Sequence, residues 1–293
     1  RRSQDGVRSN ARRRMNVLPR RIWLCADDYG MAPGVNRAIR TLIAHGRLNA
    51  TSVMTAAPHL GREANELTKL NAGAARALIG LHVTLTAPFK PLSNHFAPLR
   101  HHAFPPLAEL IRLAMTRRLK REHFAGEIAA QLAAFRAAFG RAPDFVDGHQ
   151  HAHLLPVVRD AFLAVIGAQA PQAWVRQCAR APRARPLHDR KGLVLDVLSV
   201  RFRARAKRLG IRTNPAFAGA YAFTPKADFP AIFPRFLTGL PDGGLVMCHP
   251  GFVDPALKSL DSLTDLRERE LAYFDSDAFP RDLARHHVEL ARP

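Results

Sequence analysis

The sequence predicts an α/β fold, a distorted (β/α) barrel like the TIM barrel, with parallel strands inside and helices outside. Short apolar runs alternate with segments of helical periodicity along most of the chain, and this order is typical of a parallel sheet. Several of the apolar runs end in carboxylates or histidines, at the strand ends where α/β folds place their chemistry.

The first strand is predicted at residues 22–26, a buried apolar run that ends in Asp27 and Asp28. Further short apolar or β-branched runs predict strands at 51–57, 79–86, 145–149, 173–176 and 245–248. Helical spacing of apolar residues predicts helices at 33–45, 58–71, 107–119, 123–139, 156–168, 194–209 and 263–285.

Two segments between these elements lack periodicity. Residues 87–106 are rich in Pro, His and Phe and predict a long loop directly after the third strand. Long loops in compact domains are often functional. Residues 180–190 are predicted to be irregular.

Length and composition favour one domain. The chain has 293 residues, and the prediction is a single barrel domain over residues 20–293. Residues 1–19 are expected to form a basic, disordered arm. Alternatively, the residues before Met15 come from translation that begins upstream of the true start. No apolar segment follows the basic residues 1–14, so this stretch does not resemble a secretory signal. No apolar run approaches the ~20 residues of a membrane-spanning helix.

The formal charge of +20 is concentrated in the arm and in residues 112–121 and 176–212. These segments have few aromatic residues and match no groove-reading motif, so a specific nucleic-acid site is not predicted. The expectation is a solvated arginine-rich face or a weak contact with an anionic membrane. Three cysteines, an odd number partly within predicted strands, predict reduced, buried thiols and a cytoplasmic protein: Cys25, Cys178 and Cys248. A homodimer stays open.

Candidate ligands follow several predicted strands. They are Asp27 and Asp28, His82, the run from Asp147 to His153, and His249. If that run is extended, its period of two places His149, His151 and His153 on one face, which indicates metal or substrate binding. Aspartate and histidine without nearby cysteine suit Zn²⁺, Mn²⁺ or Mg²⁺. The alternative is structural, with an aspartate capping the next helix and the histidines hydrogen-bonded in the core.

Five motifs occur in a fixed order along the chain. They are Ala-Asp-Asp-Tyr-Gly at 26–30 with Val35-Asn36, Thr-Ser-Val-Met at 51–54, Gly-Leu-His-Val-Thr-Leu-Thr at 80–86, Asp-Gly-His-Gln-His-Ala-His at 147–153, and Met-Cys-His-Pro-Gly at 247–251. This set resembles the YdjC-type carbohydrate deacetylases, the ChbG/HpnK family, with Gly148 where the family usually has Ser. The resemblance implies a distorted barrel and hydrolytic removal of N-acetyl groups from amino sugars in oligosaccharides or glycolipids.

The resemblance also implies roles for individual residues. One divalent ion, Mg²⁺, Zn²⁺ or Mn²⁺, would be bound by Asp28, His82 and His149. Asp27 would be the general base, and His249 would protonate the leaving amine. Side chains that contact substrate would be His151, His153 and, for the acetyl group or a sugar hydroxyl, Arg176. Adjacent strand residues point to opposite faces, so both aspartates reach one site only if the backbone turns at Asp28.

Two other functions fit part of the pattern. A metal-dependent phosphoesterase would use the same ligand types and a basic surface, but it would normally need two metals and more carboxylates. A non-catalytic metal- or sugar-binding protein would not need the acid and base pair of Asp27 and His249.

Overall fold

The computed structural model describes residues 18–73, 76–181 and 190–293. Most of the predicted arm, residues 1–17, and most of the predicted irregular segment, residues 182–189, lie outside these ranges. Within them, eight strands form one sheet and pair only in parallel. The strands are β1 (Arg20–Tyr29), β2 (Ala50–Val53), β3 (Leu78–Val83), β4 (Phe145–Gly148), β5 (Trp174–Val175), β6 (Phe217–Ala218), β7 (Leu245–Cys248) and β8 (Val288–Leu290).

The strand order is β5-β4-β3-β2-β1-β7-β6, and β8 pairs with the first residues of β1. The two ends of this order approach each other, because Val175 N donates to Arg212 O at 2.9 Å and Phe217 N donates to Ala179 O at 3.0 Å. The sheet is therefore curled into an irregular barrel, and the predicted fold class is confirmed.

Helices surround the curled sheet. They are α1 (Pro33–Ala44), α2 (Gly61–Asn71), α3 (Leu107–Met115), α4 (Arg121–Phe139), α5 (Val158–Gln169), α6 (Arg190–Arg208), α7 (Phe229–Leu237), α8 (Pro255–Leu260), α9 (Asp265–Asp275) and α10 (Ala278–Arg285). In α1 the apolar residues Val35, Ile39 and Leu42 are buried, as their helical spacing predicts. None of the helices in the described part of the chain is long and apolar enough to cross a bilayer.

Several elements differ from the prediction. The single helix predicted at 263–285 is divided into α9 and α10, and the short elements β6, α7, α8 and β8 were not predicted. The strand predicted at 145–149 ends at Gly148, and a 3-10 helix follows over His149–Leu154. The three cysteines are buried and free, as predicted.

Candidate active site

The end of β1 carries a bulge that sets the direction of two adjacent carboxylates. Between Ala26 and Tyr29, which pair with β2, β1 has one residue more than the facing stretch of β2. The backbone at Asp28 is left-handed, with φ of 72°. This break in the pleat supplies the turn that both aspartates need in order to reach one site, and it lets Asp27 and Asp28 face the same way.

Three side chains form a compact cluster at the carboxyl ends of β1, β3 and β4. Asp28, His82 and His149 each offer one ligand atom, and these atoms lie within 4.8 Å of one another. Asp28 Oδ1 lies 3.0 Å from His149 Nδ1 and 3.4 Å from His82 Nε2. One carboxylate oxygen and two imidazole nitrogens, without a thiolate, suit a divalent ion such as Zn²⁺ or Mn²⁺ and leave coordination positions for other ligands.

Asp147 and Ser52 fix the orientation of the His82 ring. Its Nδ1 lies 2.5 Å from Asp147 Oδ1 and 3.1 Å from Ser52 Oγ. Because a carboxylate only accepts hydrogen bonds, Nδ1 carries the hydrogen and Nε2 is directed to Asp28. Burial disfavours a charged His82, but Asp147 and Asp27 raise its pKa to about 10. The carboxylates around His82 therefore favour positive charge on this imidazole.

Asp27 is held by an arginine rather than by this cluster. Arg176 donates from Nη1 to Asp27 Oδ2 at 2.6 Å and from Nη2 to Oδ1 at 2.7 Å, and Ser52 Oγ donates to Oδ1 at 3.0 Å. Burial opposes ionisation of Asp27, yet Arg176, His82 and His249 lower its pKa well below the usual range. Asp27 is therefore an oriented carboxylate that is ionised at neutral pH.

Arg176 has no surface that a sugar could touch. It is completely buried, and Nη2 also lies 2.5 Å from Asp147 Oδ2 and 3.0 Å from Cys25 Sγ. The guanidinium of Arg176 is used to hold Asp27 and Asp147, and this placement does not support its predicted contact with substrate. It also fills the space between Cys25, Asp27 and Asp147, which are close enough together to resemble a second metal cluster.

The histidine run is not extended, so the predicted alternation is wrong. Gln150 and His151 have left-handed backbones, with φ of 53° and 57°, within the 3-10 helix. His153 is completely buried against Phe162 and Phe202, and its Nε2 lies 2.9 Å from the carbonyl oxygen of Arg176. This placement does not support its predicted contact with substrate.

His151 is partly exposed, and its contact with substrate stays a prediction. Its Nδ1 lies 3.5 Å from Cys178 Sγ. Burial, with the nearby His153 and Arg176, lowers the pKa of His151 to about 3, so the ring is neutral at neutral pH. A neutral imidazole can donate to or accept from a hydroxyl group.

His249 lies directly after β7, on the other side of β1 from β3 and β4. Its backbone N–H donates to Glu270 Oε2 at 2.5 Å, and Tyr221 donates to Glu270 Oε1 at 2.7 Å. The ring of His249 packs edge-on against Phe223, with 5.5 Å between ring centroids. Its Nδ1 is buried and has no hydrogen-bond partner among the residues described.

Comparison with known proteins identifies the family. The model of the YdjC-like protein family matches residues 21–285. The chain belongs to the YdjC-like protein family. This match covers every strand end that contributes to the cluster.

Several relatives of this YdjC-like protein carry functional names. The present chain is 27% identical over 279 residues to a carbohydrate deacetylase of Geobacillus stearothermophilus, and the alignment covers 93% of this chain and 96% of the relative. It is 28% identical over 254 residues to a chitooligosaccharide deacetylase of Serratia marcescens, covering 82% and 88%. A mouse carbohydrate deacetylase is 29% identical over 270 residues, covering 82% of each chain.

A solved structure from Enterococcus faecalis has the same fold. It is described provisionally as a cellobiose-phosphate cleavage protein. It aligns with a TM-score of 0.68 and 21% identity over 94% of this chain and 97% of its own. The likeness supports the curled parallel sheet and its surrounding helices.

The YdjC-like site also contains residues that sequence analysis missed. Arg267 Nη2 donates to Asp28 Oδ2 at 2.6 Å, and Glu270 accepts from the backbone of His249. Both belong to α9 and stand three positions apart, hence on one face. The sequence carried no signal for either residue, because charged residues at this spacing on a helix normally indicate a solvent-exposed face. Asp147 stood within the histidine run, but only its position beside His82 reveals its role.

Proposed function

We propose that this YdjC-like protein is a metal-dependent hydrolase that removes the acetyl group from an N-acetylated amino sugar in an oligosaccharide or glycolipid. The observation that carries the proposal is the cluster of Asp28, His82 and His149 beside an ionised Asp27 that is held by Arg176. Relatives named carbohydrate and chitooligosaccharide deacetylases support the same substrate class.

One divalent ion, Mg²⁺, Zn²⁺ or Mn²⁺, would be held by Asp28, His82 and His149. When bound, it supplies Lewis acidity that polarises the amide carbonyl and lowers the pKa of a water molecule. The neighbouring group of Cys25, Asp27 and Asp147 already holds the guanidinium of Arg176, which leaves no place for a second ion there. This favours amide hydrolysis at a single ion over a two-metal phosphoesterase.

Asp27 would accept a proton from the attacking water. Its Oδ1 is occupied by Ser52 and Arg176, whereas Oδ2 accepts from Arg176 Nη1 alone among the residues described. A carboxylate oxygen has two lone pairs, so Oδ2 keeps one for the proton. The Arg176 fork fixes the direction of that lone pair.

His249 would donate a proton to the leaving amine. It lies across β1 from His82 and His149. If an amide binds over Asp27 and Asp28, its carbonyl group would therefore lie on the side of His82 and His149, and its nitrogen on the side of His249. Glu270 fixes the backbone of His249, and within the described ranges the buried Nδ1 of its ring has no hydrogen-bond partner. An acid and base pair is what a non-catalytic binding protein would not need.

Two further assignments belong to the proposal. His151, neutral and partly exposed, would contact a sugar hydroxyl. Three buried free thiols support a cytoplasmic location, where cysteines stay reduced.

Acetate release would test the function. Purified protein would be incubated with N-acetylglucosamine oligosaccharides and lipid-linked N-acetylglucosamine in the presence of Zn²⁺, Mn²⁺ or Mg²⁺, and products would be identified by mass spectrometry. We expect acetate and the free amine from at least one substrate, with activity lost in Asp27→Asn. Asp242→Asn is the matched control, because Asp242 is an exposed carboxylate that pairs with the exposed Arg21. No acetate from any substrate with any ion would refute the proposal.

A further inference from the structure

Arg267 is a buried cation placed directly against the candidate metal ligand Asp28. Its side chain is only 1% exposed. Nη2 lies 2.6 Å from Asp28 Oδ2 and 2.6 Å from Asp261 Oδ2, and Nε donates to the carbonyl oxygen of Leu263 at 3.0 Å. The guanidinium is therefore anchored on α9 and its preceding loop before it reaches the site.

The two oxygens of Asp28 have different partners. Oδ1 faces His149 and His82, at 3.0 and 3.4 Å, whereas Oδ2 is bound by Arg267. Asp28 also sits at the bulge of β1, where its left-handed backbone is unusual for a residue other than glycine. The pairing of β1 thus fixes the backbone of Asp28, and Arg267 on α9 fixes its side chain.

The packing around Arg267 leaves it little freedom. Its carbonyl oxygen accepts from Gly251 N at 3.1 Å, and a Cβ atom on Gly251 would lie 3.4 Å from Arg267 Cδ. Met31 Sδ lies 3.7 Å from Nη2. The segment after His249 therefore packs closely against the arginine that holds Asp28.

We propose that Arg267 is a positioning residue for metal binding, which occupies Oδ2 of Asp28 so that a divalent ion meets Oδ1 alone, together with His82 and His149. The inference rests on the metal site of the proposed function. A purely electrostatic role predicts the opposite effect on affinity, because a cation beside the site repels a divalent ion. Removing Arg267 would then tighten metal binding, whereas removing a positioning residue weakens it.

Metal affinity of the full chain separates these two effects. Zn²⁺ binding would be measured by competition with a chromophoric chelator for the unsubstituted protein, Arg267→Met, Arg267→Lys and Arg269→Met. We expect ~10–100-fold weaker binding in Arg267→Met, the usual consequence of losing a partner that orients a ligand. Arg269→Met is the control, because Arg269 lies on the same helix but donates to the carbonyl oxygens of Pro225 and Ala227. Equal or tighter binding in Arg267→Met would overturn the proposal.

Arg267→Lys guards against a folding defect in the methionine variant. Lysine keeps the charge but cannot reproduce the planar, multiply anchored guanidinium, so weaker binding at constant charge isolates orientation. Unchanged affinity in a folded Arg267→Lys would also contradict the proposal.

A spectroscopic measurement distinguishes positioning from a general structural role. With Co²⁺ bound, the visible absorption reports the ligand geometry, and we expect it to change in both Arg267 variants and to stay unchanged in Arg269→Met. An Arg267 variant with a lowered melting temperature and an unchanged Co²⁺ spectrum would assign Arg267 to stability alone. If the unsubstituted protein binds no Zn²⁺, the metal site itself fails. If the unsubstituted protein binds Zn²⁺ and the Arg267 variants bind it with the same affinity, only the positioning role of Arg267 fails.

Discussion

Asp27 and Asp28 are neighbouring buried carboxylates, and each has its own arginine. Arg176 binds Asp27 and Arg267 binds Asp28, from opposite parts of the chain. Burial opposes ionisation of Asp28, but Arg267 and His149 lower its pKa well below the ordinary range. Two adjacent like charges are costly without a cation, and here two internal cations relieve that cost.

Replacing the two aspartates should separate proton transfer from metal binding. We expect Asp28→Asn to lose metal and activity together, because Asp28 belongs to the ligand cluster. Asp27→Asn should keep its metal and lose ~10²–10⁴-fold in kcat, the usual contribution of a general base. Elemental analysis and steady-state kinetics under the same conditions would measure both effects.

His249→Ala provides an independent check on this division of roles. It should behave like Asp27→Asn, with metal retained and turnover lost, because His249 is outside the ligand cluster. An Asp27→Asn protein without metal, beside an Asp28→Asn protein that keeps it, would mean that the two carboxylates have exchanged roles.

Arg176→Met should destabilise the fold strongly. The substitution removes the guanidinium that Asp27 and Asp147 share, and breaking a buried pair in this way typically costs ~3–5 kcal/mol of unfolding free energy. Urea denaturation followed by circular dichroism would measure the change. Arg285→Met is the control, since the Arg285 side chain is 73% exposed and an ion pair made by such a side chain contributes little. A loss no larger than that of the control would show that Arg176 is dispensable for stability.

At the scale of elements, the sequence predicted most of the helices and strands from their periodicity, and it placed the candidate ligands at the ends of strands. The strand ends predicted a candidate set that includes Asp28, His82 and the run from Asp147 to His153, because α/β folds place their chemistry at the carboxyl ends of strands. The choice of Asp28, His82 and His149 within that set came from the resemblance to the YdjC-type deacetylases. The 3-10 helix was not predictable, because the alternating histidines fit an extended strand equally well. Only the left-handed backbones of Gln150 and His151 reveal that the run coils.

The role of α9 could not be predicted for a different reason. Alternating Arg and Glu residues on a helix normally indicate a face that is exposed to solvent. Arg267 and Glu270 are instead buried, and they hold Asp28 and the backbone of His249. Their partners are more than twenty residues away in sequence, so only the tertiary structure connects them.

The loop after β3 is expected to set substrate size. Residues 87–106 contain no helix or strand in the structure, as predicted, and Phe89 packs edge-on against His149 with 5.9 Å between ring centroids. The base of the loop is closed by Phe104 N donating to Phe89 O at 2.9 Å. Replacing residues 98–102 with a shorter Gly/Ser linker should leave this base intact, because it keeps Phe96, which is buried against Phe104 and Phe124.

We expect the shortened protein to keep its metal content and to change its selectivity among oligosaccharides of different length. Relative kcat/KM values for a series of N-acetylglucosamine oligomers would measure the change. Unaltered ratios across the series would contradict a role for the loop at the mouth of the site.

At the scale of the whole molecule, the excess positive charge is expected to act without sequence specificity. Part of it lies on α6, where Arg201 and Arg203 are exposed beside Val194, Val197 and Val200, whose exposed fractions are 59%, 58% and 54%. A basic face with exposed apolar residues favours a weak contact with anionic lipid. Weak binding of this kind should decline steeply as salt is raised.

Co-sedimentation with anionic and neutral vesicles, and titration with duplex DNA, would test this at low and physiological salt. We expect binding to anionic vesicles and to DNA only at low salt, and no binding to neutral vesicles. Val197→Asp would weaken the vesicle contact if the apolar residues of α6 take part. Tight duplex binding at physiological salt would indicate a specific nucleic-acid site instead.

The bulge in β1 also limits how related chains can diverge by insertion and deletion. Deleting one residue between Ala26 and Tyr29 would restore regular pairing with β2, but Asp27 and Asp28 are the residues there, so the deletion would remove one of the two carboxylates. The long loop after β3 has no such restriction, because its length does not set the register of any strand. Length variation should therefore accumulate around the mouth of the barrel, while the spacing at the end of β1 stays constant.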